Sequence, residues 1–383
     1  MRRPLELYLH IPFCARKCEY CDFLSGPANA TTCHEYVKQL IKEIIYQSAF
    51  CKAYRITTVF VGGGTPSILR TEDLETIMKT VQAHFFLEPS AEITIEVNPG
   101  TVTKEKLEAY RKCGINRISI GLQSANDQEL KTLGRIHSYD EFLKTYQRVR
   151  LAGFSNVNVD LMSALPGQTA ASWKTTLKKV TMLKPEHISA YSLMLEEGTP
   201  FYEKYHGNPQ LLPNEEEERE IYYMTKEFLH DQGYERYEIS NYARPGYECR
   251  HNLGYWTGVE YLGLGLGASS NIGHFRFQNE PDLQRYQKIS MHGENVGEHL
   301  RHSLVRLSDK ERMEEFMFLG LRMMKGVSGS EFLQRFGQNM WNVYGEVLKK
   351  LEENHLIVVE SPYVRLSNFG IDISNYVLSE FLL

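Results

Sequence analysis

Six short runs rich in β-branched and aromatic residues recur through the first half of the chain, at residues 5–11, 56–61, 92–97, 117–122, 156–161 and 187–192. Segments of helical period follow them, at 36–48, 72–86, 104–112, 139–151, 171–183 and 216–231. In the first of these Val37, Leu40, Ile41, Ile44 and Ile45 share one helical face. Strands separated by whole helices cannot close hairpins, so their crossovers make neighbouring strands parallel. Six such units predict an α/β fold, either an open sheet or a partial (β/α)6 barrel. In both, function gathers at the C-terminal ends of the strands.

The character changes after residue 233. Residues 234–300 carry many aromatics and glycines and no long helical period. Helices return at Ser308, where Ser308-x-x-Glu311 and Ser328-x-x-Glu331 both fit a capping box. A helix over 340–353 leads into strands at 356–360 and 363–366 around a Ser-Pro turn, the pattern of a small winged-helix-like domain. The expected division is therefore 1–233, a connecting segment 234–300, and a C-terminal domain 301–383. Residues 309–383 hold 8 Lys and Arg against 11 Asp and Glu, and the whole chain has a net charge of −5. That balance argues against binding nucleic acid through its phosphates. Glu6 and His10 interrupt the first apolar run, so it reads as neither a secretion signal nor a membrane span, and a cytoplasmic protein is expected.

Three of the seven cysteines, Cys14, Cys18 and Cys21, form a CxxxCxxC loop directly after the first strand. Clustered thiols in a reducing compartment point to a soft metal. Structural zinc wants four protein ligands, and no fourth is obvious nearby. An iron–sulfur cluster held by three thiolates leaves one iron open to an outside ligand. Gly62-Gly63-Gly64-Thr65-Pro66 follows the second strand and lets the backbone approach a ligand closely, but lacks the lysine of a P-loop.

The stretches YLHIPFCARKCEYCDF, FVGGGTPS, ITIEVNPGT, ISIGLQS, LGRIH and NVDLMSALPGQT resemble the radical S-adenosylmethionine (SAM) superfamily. The wider match, through RHNLGYW and the C-terminal domain, is to its oxygen-independent coproporphyrinogen oxidase-like branch, and there to the heme chaperones. The resemblance implies a radical-SAM partial barrel. It implies a 4Fe–4S cluster on Cys14, Cys18 and Cys21, with SAM on the fourth iron. It also implies SAM contacts from Tyr8, Tyr20, Gly63, Gly64, Thr65, Glu96, Gln123, Arg135 and Asp160. Such a cluster reduces bound SAM to a 5′-deoxyadenosyl radical; the protein supplies position, dryness and potential. Porphyrinogen dehydrogenases of this branch carry a fourth cysteine where this chain has Phe23, and an N-terminal extension longer than the 13 residues before Cys14. Both departures speak against porphyrinogen oxidation and leave SAM cleavage open.

His251-Asn252-Leu253-Gly254-Tyr255-Trp256 reads HNxxYW, a motif associated with heme in the chaperones. An imidazole such as His251 can ligate iron, and Tyr and Trp can pack on a porphyrin; Cys249 is a second conceivable ligand. The run from Gly263 to Gly267 lacks the third glycine of a dinucleotide fingerprint and reads as close backbone packing. Met313, Met317, Met323 and Met324 stand at helical spacing, as core residues do. The expected function is a heme chaperone that holds the cluster, SAM and heme and passes heme to acceptor proteins. The alternative is a coproporphyrinogen III dehydrogenase. Oligomeric state stays open, a homodimer included.

Overall fold

The computed structural model describes residues 2–293 and 295–383. Six parallel strands and their crossover helices come first: β1 (Arg3–Ile11), α1 (Ala30–Ser48), β2 (Tyr54–Gly63), α2 (Thr71–His84), β3 (Leu87–Val97), α3 (Lys104–Lys112), β4 (Arg117–Gln123), α4 (Asp127–Thr132), α5 (Tyr139–Leu151), β5 (Val157–Ser163), α6 (Ala170–Thr181) and β6 (His187–Ser192). They lie side by side in chain order, as in a singly wound barrel rather than a doubly wound sheet. Leu5, Leu7, Leu9 and Ile11 are buried, and so are Glu6 and His10 on the opposite side of the strand. Burial on both faces is what helices packed against a parallel sheet impose.

Boundaries differ from expectation where a local signal is weak. The first helix begins six residues early, at Ala30, because the Asn29 side chain accepts from the Thr32 N–H while the first turn carries no apolar stripe. The helix expected to reach Phe86 stops at His84, where Phe85 turns extended. Leu87 then pairs with Ile56 and starts β3 five residues early.

Residues 193–306 form α7 (Pro200–Tyr205), α8 (Glu215–Asp231), β7 (Glu235–Arg236), β8 (Asn241–Ala243), α9 (Arg250–Thr257), β9 (Tyr261–Leu264), β10 (Ser269–Ile272), β11 (Phe275–Asn279), α10 (Leu283–Lys288), α11 (Val296–Leu300) and β12 (Arg301–Arg306). The stretch expected to connect two domains thus extends the sheet at both ends. β8 and β7 add antiparallel beyond β6, while β9 runs parallel to β1 and carries β10, β11 and β12 outward. Most of these strands are two to five residues long, too short for a periodic signal. The glycine run packs closely, as expected: the Tyr36 hydroxyl donates to His10 O at 2.6 Å and accepts from Leu266 N–H at 3.1 Å.

The C-terminal domain follows: α12 (Asp309–Gly320), β13 (Val327–Ser328), α13 (Gly329–Phe336), α14 (Met340–Glu353), β14 (Ile357–Glu360) and β15 (Tyr363–Leu366). The expected hairpin is present, with β13 as a third strand. Ser308 and Glu311 form a full capping box. At Ser328 only half exists, the hydroxyl accepting from the Glu331 N–H at 3.4 Å. Met313 and Met317 lie in a core with Phe332, Tyr344 and Leu351; Met323 instead lines a cavity.

Glu43 ties the sheet extension to α1. It is fully buried and accepts from Gly265 N–H at 3.0 Å, Asn279 Nδ2 at 2.7 Å and the Tyr286 hydroxyl at 2.5 Å. Removing that acceptor strands the Gly265 N–H and the Tyr286 hydroxyl and leaves Asn279 Nδ2 only its bond to Gly265 O at 2.9 Å. Glu43→Ala should therefore destabilise the chain by at least about 2 kcal/mol in urea unfolding; a loss below about 0.5 kcal/mol would contradict this account of the tie.

Candidate functional site

The cysteine loop runs from Ile11 to Gly26, anchored by the buried Phe13 ring against Tyr36 and held further by backbone bonds. Cys14 N–H donates to Gly26 O at 3.1 Å, and Gly26 N–H to Pro12 O at 3.0 Å. The glycine loop braces it from β2: Gly64 N–H reaches Ile11 O at 2.8 Å and Thr65 N–H reaches Phe13 O at 2.7 Å. A Cβ on Gly64 would stand 2.5 Å from Phe13 O, so only glycine allows this seam. Gly63, at φ +115°, turns its N–H to Glu96 Oε2 at 3.0 Å.

Cys14, Cys18 and Cys21 line one cavity of about 270 Å³ with Tyr20, Gly63, Gly64, Thr65, Glu96, Gln123, Arg135 and Asp160. Eight of the expected cofactor contacts and all three thiols therefore meet at the C-terminal rim of β1 to β5. Among the described residues no three His, Cys, Asp or Glu side chains converge on a single ion. A cubane cluster needs no such convergence, because each thiolate takes a different iron. Burial raises the Cys14 and Cys21 thiols above their ordinary pKa, so metal binding there must displace protons.

Charge in this cavity is divided. Arg135 donates to Gly121 O at 2.7 Å, Asn98 Oδ1 at 2.8 Å and Cys18 Sγ at 3.6 Å, while its Nε is buried without a partner. On the other side stand two buried acids. Burial first, and then the neighbouring Asp160, push Glu96 up to about 8. Asp160 is also raised by burial, against the pull of hydrogen bonds from Ser119 at 2.9 Å and Asn158 at 2.7 Å. A fixed cation that suits a carboxylate thus faces an acid pair that suits an ammonium or sulfonium. Gln123 ends β4 in the left-handed region at φ +70°, a strained position for a non-glycine residue of the kind that marks functional sites.

Sequence reasoning passed over Asn98, which also donates to Thr65 Oγ1 at 2.8 Å and so joins the glycine loop to Arg135. It lies one residue past β3 in the quoted EVNPG stretch, and its position beside Glu96 at a strand end was the available signal. Gly121 was passed over as well; a Cβ there would stand 2.9 Å from Asn98 Oδ1.

Tyr8 and His251 lie elsewhere. Tyr8 faces a second, larger cavity of about 670 Å³ that also takes in Tyr255 and Trp256 of α9. That cavity is bounded by the sheet extension and the C-terminal domain, and it meets the first at Phe23, Gly63 and Glu96. His251 does not line it. The imidazole is buried behind Tyr255, stacked 5.1 Å from the Phe60 ring, with Nδ1 2.6 Å from Thr58 Oγ1 and Nε2 2.9 Å from the Tyr255 hydroxyl. Burial pushes it down to about 3, while burial and nearby Glu92 push Glu6, 3.7 Å away, up to about 9. Both are neutral near pH 7, so their contact is not an ion pair. The expectation of His251 as an iron ligand thus meets a ring whose two nitrogens are already engaged. Cys249 is likewise buried, its thiol donating to Glu92 at 3.6 Å.

Residues 8–180 match the family model of the radical SAM superfamily, and residues 307–373 that of the HemN C-terminal domain. The heme chaperone HemW of Lactococcus lactis is 34% identical across the whole chain and 98% of its own length. That of Bacillus subtilis is 35% identical over 98% of each. The chain belongs to the HemW family. Coproporphyrinogen III oxidase (HemN) of Escherichia coli, whose structure is described as a radical SAM enzyme, superposes with a TM-score of 0.86 at 25% identity, covering all of this chain and 90% of its own. The HemW membership accounts for the two-domain pattern, a radical SAM region followed by a HemN-type C-terminal domain.

Glu96 gives this HemW-family fold a pH signature. Its folded pKa, about 8, lies above the ordinary 4.5. Between those values the folded chain keeps a proton that the unfolded chain has released, so stability falls as pH rises. Glu96→Gln should therefore gain melting temperature over wild type between about pH 5.5 and pH 8.5. Parallel Tm curves would contradict the raised pKa.

Proposed function

We propose that this HemW-family chain is a heme chaperone that carries a SAM-ligated 4Fe–4S cluster beside its heme. The observation that carries the proposal is the pair of adjoining cavities sharing Phe23, Gly63 and Glu96. Cys14, Cys18 and Cys21 hold the cluster, and the open iron takes SAM. Arg135 takes the SAM carboxylate, Glu96 and Asp160 its cationic groups, and Tyr20, Gly64, Thr65 and Gln123 close the remaining walls. The bound cluster supplies an electron source and an iron site for SAM; the residues supply charge, orientation and exclusion of water. A cation arriving beside Glu96 favours its ionised form, so SAM binding near pH 7 releases a proton.

Heme is the cargo of the larger cavity. Its volume of about 670 Å³ lies within the range of pockets that enclose cofactor-sized molecules. Its walls carry Phe23, Tyr255, Trp256, Tyr261, Phe316 and Phe336, aromatic faces suited to a porphyrin plane. His251 acts here by fixing Tyr255 and α9. Phe23 stands where the dehydrogenases of the branch have cysteine, which favours carriage over porphyrinogen oxidation. The cavity is closed in part by the C-terminal domain, so movement of that domain would open a path for transfer to acceptor proteins. No helix among the described residues is long and apolar enough to cross a membrane, and the proposed setting is the cytoplasm, as monomer or homodimer.

The test is anaerobic reconstitution followed by heme titration at the Soret band. A saturable one-to-one complex is expected, and absence of saturation would refute the heme reading. Cys18→Ser should lose most of the bound iron and sulfide while heme still binds; unchanged iron would refute the cluster assignment. Trp256→Ala should loosen heme by about tenfold and leave the iron content of the cluster intact.

A further inference from the structure

Three arginines line the larger cavity, Arg276, Arg312 and Arg335, the last two of them from the C-terminal domain. Arg276, on β11, is neutralised by Glu315 at 2.6 Å. Arg312 meets Asp309 at 2.9 Å, a carboxylate that is 77% exposed and so competes poorly for it. Arg335 has no carboxylate within ion-pair distance among the described residues. Glu331, one turn earlier on α13, lines the cavity without reaching it, and Glu260 is turned to Arg3 at 3.7 Å.

Among the described residues the Arg335 guanidinium makes a single hydrogen bond, from Nη2 to Thr257 O at 2.6 Å, at the C-terminal end of α9. Gly258 ends α9 at φ +69°, in the left-handed region that favours glycine, with Arg335 Nη1 close beside it. Two aromatic rings hold the guanidinium groups in place: Arg335 lies 5.3 Å from the Phe316 centroid and Arg312 lies 5.6 Å from that of Phe336. These rings pack edge to face at 5.8 Å. Burial lowers the pKa of Arg335; Glu331 opposes this from a distance, and Arg312, the nearby like charge, lowers it to a lesser extent. Like charges held together at the wall of an aromatic cavity call for anions.

Resting on the heme-cargo reading above, we infer that Arg312 and Arg335 bind the carboxylates of the porphyrin and set its orientation. The propionate edge lies against the C-terminal domain, with the apolar edge toward Phe23 and the cluster. Recognition is therefore of a porphyrin diacid rather than of the macrocycle alone. Because Arg335 also holds the last turn of α9, the same guanidinium joins the cargo to the HNxxYW helix.

The experiment compares ferric heme with its dimethyl ester, each titrated into the reconstituted protein at the Soret band. Wild type should bind the diacid at least about tenfold more tightly than the ester. Arg312→Gln with Arg335→Gln should reduce that preference to about threefold or less, weakening the diacid by more than the ester. Arg335→Lys should restore part of it. If wild type binds acid and ester equally, the carboxylate role fails while the heme reading stands. If the variants lose both ligands in proportion, the arginines serve only to hold α9, and the inference is likewise overturned. If wild type saturates with neither ligand, the heme reading itself fails and the inference with it.

Discussion

The seam between β1 and β2 is the constraint on which the rest of the molecule depends. Parallel pairing sets Ile11 beside Gly63, and the two loops that follow then lie against each other. Two backbone bonds, from Gly64 to Ile11 and from Thr65 to Phe13, fix the start of the cysteine loop together with the buried Phe13 ring. Gly63 then reaches back to Glu96 on β3. The thiols, the acid that faces them and the wall shared by the two cavities all follow from one register. A side chain at position 64 would move every one of them.

Electrostatics give the two cavities different appetites. Around the thiols, burial holds Glu96 and Asp160 toward their neutral forms, ready for a cation, while Arg135 keeps its charge and one unspent N–H. In the larger cavity the order is reversed: aromatic surface dominates, and the charge without a carboxylate is a guanidinium. Phe23 stands between them, 60% exposed, on the loop that also carries Cys21. A carrier that keeps its cargo beside a reactive centre needs such a partition, because contact without exchange depends on what fills the shared wall.

The sheet and the first site were legible because their signals are local. Residues 104–112, 139–151 and 340–353 form helices with the expected ends, since amphipathic period and capping act over a few residues. Glu96, Gln123 and Asp160 line one cavity because parallel strands deliver their last residues to one rim. Glu43, Asn98 and the edge strands were not found. Glu43 occupies the inner side of an amphipathic helix for the sake of donors more than 200 residues away. No period or spacing encodes a partner at that distance.

His251 and Tyr8 mark the same limit from the other side. The residues of HNxxYW are consecutive in the chain, but a helix turns them to different faces. Tyr255 and Trp256 reach the cavity while His251 sinks against Phe60, Thr58 and Glu6. Tyr8 lies on β1 with its ring stacked on Phe60, facing the larger cavity rather than the thiols. The sequence by itself determined the parallel α/β architecture, the cysteine and glycine loops, and the family, because each is written in short-range spacing. Only the tertiary structure decided that the His251 imidazole is engaged, where the second cavity lies and which arginines face it. Those depend on desolvation and on contacts between segments far apart in the chain.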